Sequence, residues 1–385
     1  MSIASLSRHT AGGLNHRFRT VILTMAATHP TARIGALWRQ RMETLREYDV
    51  IRDGNVFGTS FSDNYVFSSE YDRGRCLLGR LMDQYQGVPF GSVFLGEELV
   101  NEGGSCFVLD SCHTITAGAV DLGRIRSEIL GDLTLIRGIG ETTQRRLKAR
   151  GYQTIGDLLD HPGFRVHAVR VIEHLNCAGS SEMMSLIGRR HSMSHPRVLG
   201  MAGFHEPEDY IFLDIETLGL FSRPIILFGV GTVENGKLAV HQYLLRDIHE
   251  EQAALIAACG HLSGDRPALV TFNGKSFDLP YLQERLAYYG MGSASRIPHF
   301  DVLHFSRRRW RGQVPSLRLG VLEKEILGIY RHDDIPGQMV PEFYEMYLNT
   351  KNCGPLVPVV EHNRQDVVSL ALLFFRLLGD FYGCC

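Results

Sequence analysis

The sequence lacks the features that define several classes of protein. Its eight cysteines include no C-x-x-C pair, so a zinc site is not indicated, although Cys106, Cys112 and His113 lie near one another. No secretory context is recognised, and free thiols in a reducing compartment are therefore expected. The apolar segment 21–27 is too short for a signal sequence or a membrane span. A cytoplasmic protein without a membrane partner is predicted.

Nor does one sign of charge dominate. Forty Lys and Arg residues oppose 42 Asp and Glu residues, which leaves a net charge of −2. A basic surface over the whole protein is excluded, so any surface for nucleic acid must be a local patch. No repeat or low-complexity tract is present. The 385 residues suffice for two or three domains, and 44% apolar residues are typical of a globular protein.

The pattern along the chain predicts four regions. Residues 34–48 have helical spacing, 50–76 suggest short strands and loops, and 88–116 alternate as strands do. Met25 opens a Met-Ala-Ala sequence and is an alternative start. The predicted regions are an N-terminal mixed region of unclear fold (1–128), a small helical module (129–176), a linker (177–207) and an α/β domain (208–382).

Two glycines, Gly138 and Gly140, precede a predicted amphipathic helix in the helical module. They let backbone N–H groups approach a phosphate, and the helix N-terminus adds positive partial charge. Arg145 and Lys148 lie on the outward face of this helix. The segment resembles a helix-hairpin-helix motif, a family that grips the nucleic-acid backbone without reading sequence. A plain helical connector with a glycine turn is the alternative.

The most informative stretch is the apolar run that ends in Asp214-Ile215-Glu216. Apolar and β-branched residues bounded by turn signals predict a buried strand. Because side chains alternate along a strand, Asp214 and Glu216 project from the same face. Two neighbouring carboxylates in a buried setting repel each other, and a divalent metal is the simplest compensation. Chance occurrence of Asp-x-Glu is the alternative.

The elements around this strand predict an α/β sheet with helices packed on it. Asn235-Gly236 between apolar runs is a strong signal of a β-hairpin. The predicted strands cover 211–216, 225–233, 238–245 and 268–272, and the predicted helices cover 249–261, 277–290, 317–327, 341–348 and 362–378.

Further carboxylates follow in the same domain. Asp278 comes just after a predicted strand, at the sheet edge where α/β folds bind ligands. His362 and Asp366 are four residues apart, which puts them on one face of a helix that the pattern predicts to open near residue 361. Taken singly, Asp278 is equally well a helix-start acid, and His362 with Asp366 a surface pair.

Together these motifs resemble the DEDD exonucleases of the ribonuclease H-like superfamily. Asp214-Ile215-Glu216, Asn273…Asp278 and His362…Asp366 match the three motifs in order and spacing. Segments 316–317, 323–328 and 334–337 are similar to the YprB-like branch. The resemblance implies a ribonuclease H-like mixed sheet flanked by helices. His362 departs from the pattern, because it stands where the tyrosine subtype has Tyr.

The resemblance also implies a chemistry. Asp214, Glu216 and Asp366 would hold one Mg²⁺ or Mn²⁺ ion, Asp214 would bridge to a second, and Asp278 would assist through water. His362 would orient or deprotonate the attacking water. The implied activity is 3′→5′ hydrolysis of nucleic acid, with DNA favoured over RNA, in repair and with a helicase as possible partner. A non-catalytic scaffold and an RNase or structure-specific endonuclease remain alternatives.

Other basic residues are candidate phosphate contacts. Asn273 and Lys275 lie beside Asp278. Arg308 and Arg309 belong to the densest basic run, next to Trp310, which can stack on a base. A solvated amphipathic helix with Trp310 in the core is the alternative.

Overall fold

The structure is a computed structural model that describes residues 68–176, 180–219, 222–292, 297–331 and 334–383. The helix predicted over 34–48 lies outside these residues. The strands are β1 (Glu97–Asn101), β2 (Gly104–Thr114), β3 (Tyr210–Thr217), β4 (Ile225–Glu234), β5 (Lys237–Leu244), β6 (Ala268–Thr271) and β7 (His299–Asp301).

The described residues form one seven-stranded mixed sheet in the order β1-β2-β5-β4-β3-β6-β7. Each pair of neighbours among β1, β2, β5, β4 and β3 is antiparallel, whereas β6 and β7 run parallel to β3. The parallel strands are joined through helices, as parallel crossovers require. The predicted α/β class, a ribonuclease H-like mixed sheet with flanking helices, is confirmed.

The hairpin between β4 and β5 is also confirmed. Asn235 and Gly236 have φ values of 51° and 73°. Two successive positive φ angles define the type I′ turn, whose twist matches that of the strands it joins. Its tight geometry pairs Glu234 with Lys237 and fixes the register of the two strands.

The N-terminal region contributes to the same sheet. β1 and β2 form a hairpin, and β2 pairs with β5 from Phe107 opposite Leu244 to Thr114 opposite Lys237. The strands predicted within 88–116 are therefore present. The strands and loops predicted within 50–76 are wrong for its described end, where a helix covers Ser68–Gln84. The sheet thus begins before the helical module, not at residue 208.

The helices are α1 (Ser68–Gln84), α2 (Phe90–Val93), α3 (Leu122–Leu130), α4 (Glu141–Ala149), α5 (Arg165–Asn176), α6 (Ser180–Gly188), α7 (Pro196–Gly200), α8 (Glu251–Gly260), α9 (Asp278–Tyr288), α10 (Val302–Trp310), α11 (Leu319–Leu322), α12 (Val340–Thr350) and α13 (Leu356–Tyr382). A π-helical turn, Glu323–Leu327, continues α11. Among the described residues, no helix combines the length and apolar character needed to cross a membrane.

Residues 180–207, predicted as a linker, fold as helices. Met183, Ile187 and Leu199 are fully buried or nearly so, and they belong to the core that covers one face of the sheet. The low periodicity of this segment reflects short helices, of nine residues in α6 and five in α7. A short helix presents too few turns for a clear hydrophobic stripe.

The two faces of β3 serve two cores. Phe212 lies in the core shared with Phe374 of α13 and with the helical module, whereas Leu213 lies in the core beneath α8 and α12. Asp214 and Glu216 continue the face of Phe212, because side chains alternate along a strand. Both carboxylates therefore emerge on the side of the sheet that α13 covers.

Candidate active site

The sheet and α13 bring the first and third motifs together. α13 begins at Leu356, not near 361, because Pro358 lies in its first turn, where the missing N–H has no intrahelical partner to lose. His362 and Asp366 therefore lie inside the helix. They share one face, with His362 Nε2 at 3.8 Å from Asp366 Oδ2.

Two glycines in β4 permit the close approach of α13 to the sheet. A Cβ atom added at Gly229 would lie 2.4 Å from Asn363 Oδ1, and one at Gly231 would lie 2.8 Å from Val367. Gly229 pairs with Asp214 in the sheet register. Glycine inside a strand marks this kind of close contact. That signal was present in the sequence but does not identify the approaching helix.

Asn363 connects the helix to the first motif, a role that sequence reasoning missed. Its Nδ2 donates to Asp214 Oδ2 at 2.8 Å, and its Oδ1 accepts from Gln242 Nε2 at 2.9 Å. Asn363 is fully buried. It therefore fixes the orientation of the Asp214 carboxylate through a side chain whose partners are all internal.

Asp278 reaches the site from the start of α9. It is 5% exposed, and the backbone of Ile215 donates a hydrogen bond to its carboxylate. The turn before it is fixed by Asp301, which accepts from the backbone N–H groups of Asn273 at 2.9 Å and Lys275 at 3.1 Å. Asn273 has a φ of 63°, a conformation that Asn tolerates better than most residues. The Lys275 side chain is exposed.

His362 is held between carboxylates. Its Nδ1 lies 2.7 Å from Asp334 Oδ1, and its Nε2 lies 4.0 Å from Glu216 Oε1. Burial opposes protonation, but the surrounding carboxylates raise the pKa of His362 to about 10. In this arrangement the imidazole is protonated at neutral pH. Asp334 is a further site residue that the motif spacing did not reveal.

Arg331 also lies among the carboxylates and was not predicted. Its guanidinium donates to Asp366 Oδ1 and to both carboxylate oxygens of Glu323. It also reaches Asp334 Oδ2 at 3.3 Å. An arginine so placed neutralises part of the negative charge that the motifs bring together.

The remaining carboxyl groups resist ionisation. Burial, followed by repulsion from Asp366 and Glu216, raises the pKa of Asp214 well above its usual value. Burial raises the pKa of Glu216 to about 8, against the opposing charge of His362. Burial also raises the pKa of Asp278 to about 7. Negative groups that lack sufficient counter-charge behave in this way.

The donor types suit a hard divalent cation, because carboxylate oxygens are the ligands that Mg²⁺ and Mn²⁺ prefer. Within the part of the chain that the structure describes, no group of three or more His, Cys, Asp or Glu side chains is arranged to hold a metal ion as it stands. Arg331 and Asn363 take up oxygens of Asp366 and Asp214. The chemistry of the donors fits a metal ion. For such an ion to take these oxygens, Arg331 and Asn363 would have to release them.

These pKa shifts predict how stability varies with pH. Unfolded Asp and Glu have pKa values of about 3.9 and 4.3. Between about pH 4 and pH 8, therefore, Asp278 and Glu216 keep protons in the folded protein that they have released in the unfolded chain. The free energy of unfolding therefore falls as pH rises through this interval. Glu216→Gln should show a shallower fall, measured by urea unfolding in EDTA. Parallel curves for wild type and variant would contradict the shifts.

The predicted contacts in the helical module lie apart from the carboxylates. Gly138 has a φ of 91°, and Gly140 is the N-cap of α4. Arg145 is exposed, whereas Lys148 is half-buried and donates from Nζ to the Gly131 carbonyl at 2.8 Å. The predicted helix from Glu141 is present, but Lys148 is committed to an internal bond.

The basic run on α10 differs from the prediction in one respect. Trp310 is 3% exposed and lies in the core, so it cannot stack on a base. Arg309 donates from Nε to Asp380 at 2.9 Å, whereas Arg308 is exposed. The amphipathic-helix alternative describes this segment, with Arg308 as its exposed cation.

Comparisons with known proteins agree with the fold. Residues 211–378 match a family described as the RNase_H superfamily. The chain is 32% identical over 202 residues to the uncharacterized protein YprB of Bacillus subtilis (strain 168). The aligned segment covers 51% of this chain and 48% of YprB. The chain thus matches about half the length of that relative. The mixed sheet and the sequence match agree on a ribonuclease H-like fold for residues 211–378, and the similarity to YprB extends over about half of each chain.

Proposed function

We propose that the domain over 208–382 is a metal-dependent exonuclease of the DEDD type that hydrolyses phosphodiester bonds of DNA from the 3′ end, in repair. One observation supports it above the others. Carboxylates from β3, α9 and α13 converge near the carboxyl end of β3, where they stay short of counter-charge. A superfamily of nucleases supports nucleic acid as the substrate.

In this proposal Asp214, Glu216, Asp278 and Asp366 would hold two Mg²⁺ or Mn²⁺ ions. Bound ions of this kind supply an activated water and neutralise charge on the phosphate. Asn363 orients Asp214, and Asp301 positions the turn that leads to Asp278. His362, held at Nδ1 by Asp334, directs Nε2 toward the carboxylates. Its imidazole is protonated in the metal-free protein, and its neutral form, favoured once cations offset the carboxylate charge, would accept a proton from water.

The proposal is tested by digestion of single- and double-stranded DNA and RNA labelled at either end, with Mg²⁺, Mn²⁺ or EDTA. We expect metal-dependent loss of nucleotides from the 3′ end of DNA. A 5′ label should give a ladder of shortening products. Nicking of a closed circle would show an endonuclease instead, and absence of cleavage with every metal would show a non-catalytic scaffold.

The helical module over 129–176 is proposed to bind the duplex backbone as a helix-hairpin-helix unit. Deleting it is a poor test, because Ile139 and Leu147 belong to the core that also contains Phe212. Substituting Gly138 is equally poor, since its positive φ strains any side chain. A surface charge on α4 is the better target.

Arg145→Gln should weaken duplex binding without changing turnover on a saturating short single strand. Loss of one phosphate contact should reduce the slope of log K against log[salt] by about 0.9 for B-DNA. The measurement is fluorescence anisotropy over a series of salt concentrations. Arg75→Gln, at a residue that is also exposed but lies on α1, is the control. If Arg145→Gln leaves affinity and slope unchanged, α4 belongs to a connector.

A further inference from the structure

Arg331 bonds to Glu323 through two donor atoms and to Asp366 through one. Glu323, its bidentate partner, is fully buried, and Nε donates to Glu323 Oε2 at 2.6 Å. Its Nη1 reaches Asp334 Oδ2 at 3.3 Å. A buried carboxylate without a cation is strongly destabilised, so Glu323 retains the guanidinium. Asp366 is half-buried.

The contact of Arg331 with Asp366, unlike its contact with Glu323, involves a proposed metal ligand. Asp366 is one of the four carboxylates in the proposed metal site, and Arg331 Nη2 occupies its Oδ1. A carboxylate oxygen that accepts from a guanidinium has less electron density for a second cation. Asp366 Oδ2 lies 3.8 Å from His362 Nε2 and is not the oxygen that Arg331 bonds, so a divalent ion that binds both oxygens of Asp366 competes with Arg331 at Oδ1.

We propose that Arg331 is an internal counter-ion that holds Asp366 in the metal-free protein and must release it before a divalent cation binds. This inference rests on the proposed function, since it takes Asp366 as a metal ligand. The bonds to Glu323 and Asp334 keep the released guanidinium in place. Arg331 thus limits the affinity for metal while it supports α13 in the metal-free state.

The test is the affinity for Mn²⁺ of the full chain, measured by titration calorimetry without nucleic acid. Arg331→Gln alone leaves Glu323 buried and unpaired, so the main variant is Glu323→Gln with Arg331→Gln. This pair of changes removes one positive and one negative charge, which leaves the net charge unchanged. We expect Mn²⁺ to bind about tenfold more tightly, the effect of one hydrogen bond to a charged group.

A matched control exists in the same chain. Glu251 is fully buried and bonds in the same bidentate way to Arg285, which is 6% exposed at its side chain. This pair is further bonded to the backbone of Ile225 and to Tyr289. Glu251→Gln with Arg285→Gln should reduce thermal stability and leave the affinity for Mn²⁺ as in wild type.

The outcomes separate this inference from the function on which it rests. If Glu323→Gln with Arg331→Gln binds Mn²⁺ no more tightly than wild type, Arg331 does not compete and the inference is wrong. It is also wrong if the control variant gains affinity equally, because loosening of the fold would then be the cause. If wild type and Asp214→Asn bind Mn²⁺ alike, the proposed metal site itself fails.

Discussion

Asp214→Asn is expected to lower turnover by about 10³-fold or more, because it removes the carboxylate proposed to bridge the two metal ions. The fold should persist. Asn is isosteric with Asp, and its side-chain oxygen can still accept from Asn363 Nδ2, which lies 2.8 Å from Asp214 Oδ2. The measurement is kcat on a short DNA strand at saturating Mn²⁺.

Substitutions of Asp214 and Asp366 should change the stability of the metal-free protein in opposite directions. Burial and repulsion raise the pKa of Asp214, so Asp214→Asn should stabilise the metal-free protein at neutral pH. Asp366→Asn should abolish activity as well, but it removes a carboxylate partner of Arg331 and should lower the melting temperature. Asp265→Asn, the same change at an exposed position, is the control. Wild-type turnover in either site variant would overturn the active-site assignment.

His362→Ala is expected to lower turnover by about 10² to 10⁴-fold if the imidazole accepts a proton from water. Carboxylates raise the pKa of His362 to about 10 in the metal-free protein, so the neutral base is scarce there at pH 7. Cations bound to those carboxylates would reduce this effect and release the base. Turnover should therefore fall as pH drops through the pKa of the loaded site.

Two further variants separate proton transfer from packing. His362→Tyr should recover part of the loss, because a phenol can still orient water. Asp334→Asn should lower turnover less than His362→Ala, since it removes only the 2.7 Å partner of Nδ1. The measurement is kcat against pH with Mn²⁺. His249→Ala, at a side chain that is 91% exposed, is the control. Wild-type turnover of His362→Ala at every pH would make His362 a bystander.

Local patterns were sufficient to predict the centre of the fold. Strand β3 and the hairpin of β4 and β5 follow from apolar runs and from Asn235-Gly236, which are signals within a few residues. The strand and the hairpin depend on period and turn chemistry, which a single sequence carries. The carboxylates at positions 214, 216, 278 and 366 lie close enough to affect one another's charge, and their role in binding metal stays a prediction.

Pairing between distant segments was not predictable. Alternating residues in β2 indicate a strand, but nothing in them names β5 as its partner, which lies more than a hundred residues later. The sequence pattern also places the start of α13 too late, since the helix begins at Leu356 and includes Pro358 in its first turn, where a proline is tolerated. The pairing of distant strands and the first residue of α13 could be determined only from the folded structure.

The partners of the carboxylates were equally hidden. Arg331 and Asn363 are ordinary polar residues in the sequence, and only the fold reveals that they bond to Asp366 and Asp214. The motif argument assigned all excess negative charge to metals. In the structure, Arg331 neutralises part of this negative charge, and Glu216 avoids part of it through a raised pKa.

The central claim is that these carboxylates hold divalent cations for hydrolysis. Its most direct test is anomalous diffraction at the manganese edge from crystals grown with Mn²⁺ and a nucleoside monophosphate. We predict two peaks about 3.5–4 Å apart, with Asp214 between them, Asp366 coordinating one ion, and the guanidinium of Arg331 detached from Asp366. Absence of any manganese peak within coordination distance of Asp214 and Asp366 at saturating Mn²⁺ would contradict the assignment of the site.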